Sequence, residues 1–179
     1  MLIETKRLIL RPIEPEDAQF LADLINDADP CAEDGPYTMI FPVSKEIEER
    51  WISKIGSRDD EAHLLIEKRK GGTPIGVLSV TRMDKRNASA AIGILIKEEY
   101  QDKDYGTEAV RATTKFVFDN LNTHRVWLRV MEGDARAIRC YEKSGFSLEG
   151  ILREDHMRDG RWRNSLIMSI LSNEMGEKR

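Results

Sequence analysis

Between residues 98 and 112 the chain reads Glu-Glu-Tyr-Gln-Asp-Lys-Asp-Tyr-Gly-Thr-Glu-Ala-Val-Arg-Ala, a polar loop running into a segment of helical period. The first N–H groups of a helix lack intrahelical partners and the helix dipole adds partial positive charge, so such an end binds phosphate. Gly106 lets the backbone approach closely and Lys103 adds a cation. Asp104 stands where turns of this kind usually carry glycine. Aspartate reaches positive φ more easily than most residues, so the turn can form. Its carboxylate is the harder matter, because it would lie near another anion, with Lys103, Arg111 or solvent to offset it. Taken alone, the loop reads more simply as a plain strand-to-helix connection.

Other residues could move protons. Tyr141 is a phenol, with a reference pKa of about 10, that can donate a proton at neutral pH; its bland reading is a packing residue on a helix. Asp134 reads as the N-cap of that helix. Glu33, Asp34, Glu154 and Asp155 are carboxylates that could take a proton from an incoming ammonium, and each also reads as a solvated surface acid. His63, His124 and His156 are scattered singly and Cys31 and Cys140 lack metal spacing, which implies no metal and reduced thiols.

The elements that must position these residues follow from periodicity. Thr5 to Arg11 alternates as a strand limited by Pro12, and the segment after it places Phe20, Leu21, Leu24 and Ile25 on one helical face. A proline-rich loop over 28–42 precedes a helix opened by Ser44, with Ile47, Trp51, Ile52 and Ile55 at helical spacing. Ala-His-Leu-Leu-Ile-Glu-Lys-Arg and Pro-Ile-Gly-Val-Leu-Ser-Val-Thr-Arg form two strands around a glycine turn, and Ala-Ala-Ile-Gly-Ile-Leu-Ile a third. A helix with Ala109, Val110, Thr113, Phe116 and Val117 on one face leads to the strand His124–Met131. The chain closes with a short helix ended by Gly145 and two strands around Asp159-Gly160. Trp51 and Trp127 read as core and Trp162 as partly exposed. The order β-α-α-β-β-β-α-β-α-β-β predicts one α/β (α+β) domain over residues 1–179, with parallel pairing across the crossover at 90–131 and helices on both faces.

Composition narrows the function classes. The chain is 40% hydrophobic and 34% charged with a net charge of −4, which argues against a nucleic-acid partner. No apolar run approaches the ~18 residues of a membrane span and the N-terminus lacks a signal-peptide core, so no membrane partner and a cytoplasmic location are expected. Arg153, Arg158, Arg161 and Arg163 cluster around the last turn, as a solvated surface or as a contact for a phosphate or an acidic protein.

Three motifs carry a resemblance. They are Gln101-Asp102-Lys103-Asp104-Tyr105-Gly106, the stretch from Asp134 and Ala137 through Tyr141 to Gly145-Phe146, and Glu149-Gly150 with Arg153. In this order the chain resembles the GNAT superfamily of acetyl-CoA-dependent N-acetyltransferases, nearest its RimJ/RimL-type ribosomal-protein and bacterial spermidine acetyltransferase branch. The resemblance implies a mixed, mostly antiparallel twisted sheet of about seven strands. It implies acetyl-CoA as co-substrate and an amine acceptor, either a protein N-terminus or a small amine or polyamine; basic residues near a polyamine site would argue mildly against spermidine. It assigns the pantetheine arm and the thioester oxygen to the backbone of Ile94, Leu95 and Ile96, and the pyrophosphate to Lys103, Asp104, Tyr105, Gly106 and Thr107 behind Gln101 and Asp102. Asp134 and Ala137 border the cofactor, Tyr141 is the general acid and Glu33 the candidate base. An asparagine is usual where Asp134 stands, and a carboxylate accepts but cannot donate a hydrogen bond. Together with Asp104 it motivates the alternative of a non-catalytic acyl-CoA-binding sensor. A homodimer is expected by analogy alone.

Overall fold

The computed structural model describes residues 2–28, 42–158 and 160–176, with the side chain of Arg158 also left aside. Its elements are β1 (Ile3–Glu4), β2 (Leu8–Pro12), α1 (Ala18–Asp27), α2 (Lys45–Ile52), β3 (Ala62–Lys68), β4 (Pro74–Asp84), β5 (Ser89–Ile96), α3 (Tyr105–Asn120), β6 (Arg125–Met131), α4 (Ala135–Ser144), β7 (Ser147–Arg158) and β8 (Arg161–Leu171). The strands make one eight-stranded sheet in the order β1-β2-β3-β4-β5-β6-β8-β7. Every neighbouring pair is antiparallel except β5 and β6, whose parallel pairing follows the crossover through α3.

Apart from the added β1, this is the order that the alternation predicts. Only two residues long, β1 exists because Ile3 pairs with Leu10 and Glu4 with Ile9, and so short a run carries no pattern. The α2 helix ends at Ile52, so Ile55 falls beyond it. Ser44 occupies the N-cap position, but its carbonyl rather than its hydroxyl meets the helix, accepting from Ile47 N–H at 3.0 Å.

Successive strand residues point to opposite faces, and the core divides accordingly. Leu65 and Val77 meet Leu21, Leu24 and Ile52 of α1 and α2 on one side of the sheet. Ile66, Leu78 and Val80 meet Val110 and Val117 of α3, with Tyr141 and Phe146, on the other. Helices therefore cover both faces. Gly145 ends α4 at φ 103°, a left-handed conformation that glycine adopts without strain.

The tryptophans differ from expectation. Trp51 and Trp127 are half-buried rather than core. Trp51 lies edge-on to His63 at 5.0 Å, and Trp127 lies beneath the Arg82 guanidinium at 5.5 Å. Cations cover that ring where apolar side chains were expected. Trp162 is 57% exposed.

Candidate active site

The parallel strands β5 and β6 pair only at Ser89–Arg125, Ala90–Val126 and Ala91–Trp127. Beyond that point each keeps its other neighbour: β5 stays paired with β4 to Ile96, and β6 with β8 to Met131. The two strands part, and the facing backbone groups of 92–96 lose their ladder partner. The resulting notch is bordered by Ile94, Leu95 and Ile96 on one side, and by α3 and α4 beneath it.

Both helices present their N-termini there. Asp102 and Asp104 hold φ of 54° and 59°, and α3 begins at the next residue, Tyr105. The first intrahelical bond runs from Glu108 N–H to Asp104 O, and no side chain caps the helix. The N–H groups of Tyr105, Gly106 and Thr107 are thus the end that an anion meets. The Asp104 carboxylate turns instead to Lys143 Nζ on α4, at 2.7 Å. That bond holds its pKa below the usual carboxylate range, with Arg7 adding to the effect. The offsetting cation is therefore Lys143, and neither Lys103 nor Arg111 is needed for it. Lys103 Nζ folds back onto Glu99 O at 2.6 Å, beside the ring of Tyr100.

A set of contacts fixes the loop. Gln101 Nε2 donates to Ile96 O at 2.7 Å, closing the loop onto the end of β5, while its Oε1 accepts from Arg136 of α4. Arg7, from the turn before β2, donates to Lys103 O at 3.0 Å, stacks 4.4 Å above Tyr105 and binds Glu108. Neither Arg7 nor Lys143 is announced by sequence, since each meets a partner far along the chain. Gly106 serves packing as well as access: a Cβ there would stand 3.3 Å from Cys140 Sγ. Gly76, beneath the site on β4, has no room at all, since a Cβ would lie 2.3 Å from Leu95 O.

On α4, Asp134 caps its own helix, Oδ1 accepting from Ala137 N–H at 2.9 Å. Asp134, Ala137, Cys140 and Tyr141 form the wall opposite Ile94–Ile96. Tyr141 is 4% exposed, its ring 5.9 Å from that of Phe146. Burial pushes the Cys140 thiol up, so it is not a ready nucleophile.

A second cavity of about 730 Å³ adjoins the notch, sharing Leu95, Ile96, Gln101, Asp134 and Arg136 and reaching Leu24 and Asp27 of α1 and Met131 of β6. Its carboxylates are Asp27, Glu98 and Asp134. Of its cations, Lys97 is held by Glu99 at 3.0 Å and Arg136 by Gln101. The acid candidates fare unequally. Glu33 and Asp34 lie outside the described residues. Asp155 is ion-paired with Arg129 at 3.1 Å, and neither it nor Glu154 lines either cavity. Arg153, Arg161 and Arg163 are exposed and also line neither. Among the described residues no group of three potential ligands could hold a metal ion, and no helix is long and apolar enough to cross a membrane.

A split sheet with two helix N-termini converging on it can hold an anionic, amide-bearing ligand. Residues 7–147 match the acetyltransferase (GNAT) domain, and the chain belongs to that family of acetyl-CoA-dependent N-acetyltransferases. It is 28% identical over 169 residues to spermidine N(1)-acetyltransferase of Escherichia coli K12, covering 92% of this chain and 86% of that one. A Bacillus subtilis protein whose name proposes a ribosomal N-acetyltransferase, YdaF, is 27% identical over 187 residues, covering 97% and 96%. The crystal structure of spermidine N-acetyltransferase from Vibrio cholerae in complex with CoA and spermine superposes with a TM-score of 0.83 at 26% identity, over 96% of this chain and 99% of that one. The enzyme reading thus stands over the sensor alternative; of the two residues that motivated the sensor, Asp104 gives its carboxylate to Lys143 and Asp134 caps its own helix.

Proposed function

We propose that the acceptor is a small amine bearing more than one positive charge, acetylated by direct attack on acetyl-CoA with Tyr141 as the general acid. The observation that carries the acceptor class is the larger cavity, lined by three carboxylates, Asp27, Glu98 and Asp134, against two cations, Lys97, which is paired with Glu99, and Arg136. A cluster of carboxylates at the mouth lowers the energy of a polycation and does nothing for a neutral amine. Arg153, Arg161 and Arg163 of the basic hairpin, which would have opposed such a substrate, line neither cavity. The named polyamine activity of the E. coli relative supports the same reading.

The chemistry then follows the geometry. An alkylammonium, pKa about 10.4, first loses a proton to solvent or a carboxylate at the mouth. The free amine attacks the thioester carbon, forming the C–N bond as the carbonyl electrons move onto oxygen. Backbone N–H groups where β5 leaves β6, near Leu95 and Ile96, are the donors for that oxyanion. Collapse breaks the C–S bond, the Tyr141 hydroxyl gives its proton to the departing thiolate, and solvent carries the proton that the new amide nitrogen sheds and restores the one that Tyr141 gave up. The N–H groups of Tyr105, Gly106 and Thr107 take the pyrophosphate.

Thiol release should be followed with spermidine, spermine and a peptide with a free N-terminus. The polyamines should exceed the peptide in kcat/KM by roughly tenfold or more. Tyr141→Phe should lower kcat about 10²-fold while the acetyl-CoA Kd, by calorimetry, stays within about twofold. A preference for the peptide sinks the acceptor class; an unchanged kcat in the variant sinks the general acid.

A further inference from the structure

Of residues 100–107, only Lys103 does not border the notch. Its carbonyl is held outside by Arg7, whose Nη1 donates to it at 3.0 Å. Arg7 is itself a fixed post. Its backbone N–H donates to Glu108 Oε1 at 3.0 Å, its carbonyl accepts from Arg69 N–H at 2.8 Å, and its Nε donates to Glu108 Oε2 at 2.5 Å. The guanidinium lies 4.4 Å over the ring of Tyr105 and lines neither cavity of the site. Glu108 meets its charge, so what Arg7 gives the loop is orientation rather than attraction for an anion.

A trans peptide carries its N–H opposite its carbonyl. With Lys103 O held on Arg7, the Asp104 N–H faces away from Arg7, and among the described residues it reaches no acceptor. Asp104 keeps this arrangement at φ 59°, a left-handed backbone that a residue other than glycine holds at a cost. Turning the 103–104 peptide over would carry Asp104 to negative φ and relieve that cost. It would also set the Lys103 carbonyl where the N–H had been, so an anion there would meet an oxygen in place of a donor. A glycine at 104 would have no such incentive to turn. An aspartate has it, and the hydrogen bond from Arg7 opposes it.

We propose that Arg7 is a positioning residue for the coenzyme: it holds the 103–104 peptide with its carbonyl outward, so that the Asp104 N–H joins those of Tyr105, Gly106 and Thr107 on the pyrophosphate. This role rests on the assignment of the pyrophosphate to this end of α3, and it is independent of which amine is the acceptor.

Coenzyme A titrated into the full, nitrogen-labelled chain should move the amide protons of 104–107 downfield, the direction of a new hydrogen bond. If those of 105–107 move and that of Asp104 does not, the role of Arg7 alone is overturned. If none of the four moves, the pyrophosphate assignment falls and the role of Arg7 with it. Arg7→Ala should weaken acetyl-CoA about tenfold by calorimetry, the effect of losing one hydrogen bond to a charged group, while kcat at saturating acetyl-CoA falls by less than about twofold. S-acetylpantetheine has the thioester arm and no phosphate, and its kcat/KM should change by less than about twofold in the same variant. Arg7→Lys keeps the charge but has no fork to span Glu108 and Lys103 O, and should weaken acetyl-CoA as Arg7→Ala does. Equal losses with both donors would mean a distorted notch, and wild-type affinity in Arg7→Lys would mean that charge suffices; either overturns the proposal. The wild-type titration needs no variant and carries the test if Arg7→Ala fails to fold.

Discussion

Asp104 and Asp134 each stand directly before a helix that ends at the notch, yet the two helix ends are built in opposite ways. Asp134 turns its carboxylate onto Ala137 N–H and closes its helix. Asp104 makes no such bond; it takes a left-handed backbone and gives its carboxylate to Lys143 on the other helix. The same side chain seals one end and leaves the other open. The difference shows how a helix N-terminus is kept available: the capping group is drawn aside by a cation, which leaves the first N–H groups open to a ligand.

The comparison can be broken most severely from below. Gly76→Ala must displace Leu95 O, and with it the strand edge that both helix ends face. It should cost on the order of 3 kcal/mol in denaturant unfolding and abolish acetyl-CoA binding by calorimetry. Retention of both would show that the notch tolerates a shifted β5.

A third helical acid sharpens the contrast, having neither arrangement. Glu48 on α2 is 2% exposed, its Oε2 lacks a partner, and burial pushes its pKa up to about 7. The folded protein keeps a proton that the unfolded chain releases near 4.5, so stability falls as pH rises between those values and is level above. Glu48→Gln should raise stability by about 3 kcal/mol at pH 8 and by nothing at pH 4, read from denaturant midpoints. An equal change at both pH values would rule out ionisation as the cause.

Smaller effects separate the two aspartates. Asp134→Ala should lose about 1 kcal/mol of stability, while Asp134→Asn, still a good cap, should lose little. Lys143→Ala releases the Asp104 carboxylate toward the phosphate end and should weaken acetyl-CoA about threefold, with the loss reversed in the Lys143→Ala/Asp104→Gly double variant. Asp104→Gly alone should change the dissociation constant by less than about twofold, because Lys143 already holds the charge aside. A weakening that persists in the double variant would mean that Lys143 itself touches the substrate.

Period and spacing make the helices and long strands legible, because each buries one face and must show that in its residues. The pair Ile3-Glu4 is too short to do so. Phe116 shares the face of Val110 and Val117 by spacing, but it is only half-buried, since there the face borders a separate cavity. At the site, the loop and Tyr141 are visible through motif order. Arg7 and Lys143 are not: one reaches Lys103 and Glu108, the other Asp104, and only the folded chain brings them together. The parting of β5 from β6 has no local signature either, being set by the strands on their outer sides.

That parting has a further consequence. Across one seam the ladder between its two portions, β1–β5 and β6–β8, is joined by only three residue pairs. On the proposed function, a substrate arm rich in amide groups lying in the notch would supply the hydrogen bonds that a neighbouring strand would have made. Amide hydrogens along 92–96 should therefore exchange quickly in the free protein and slowly once acetyl-CoA is present, with melting temperature rising by mass action. On that reading the substrate itself would complete the sheet.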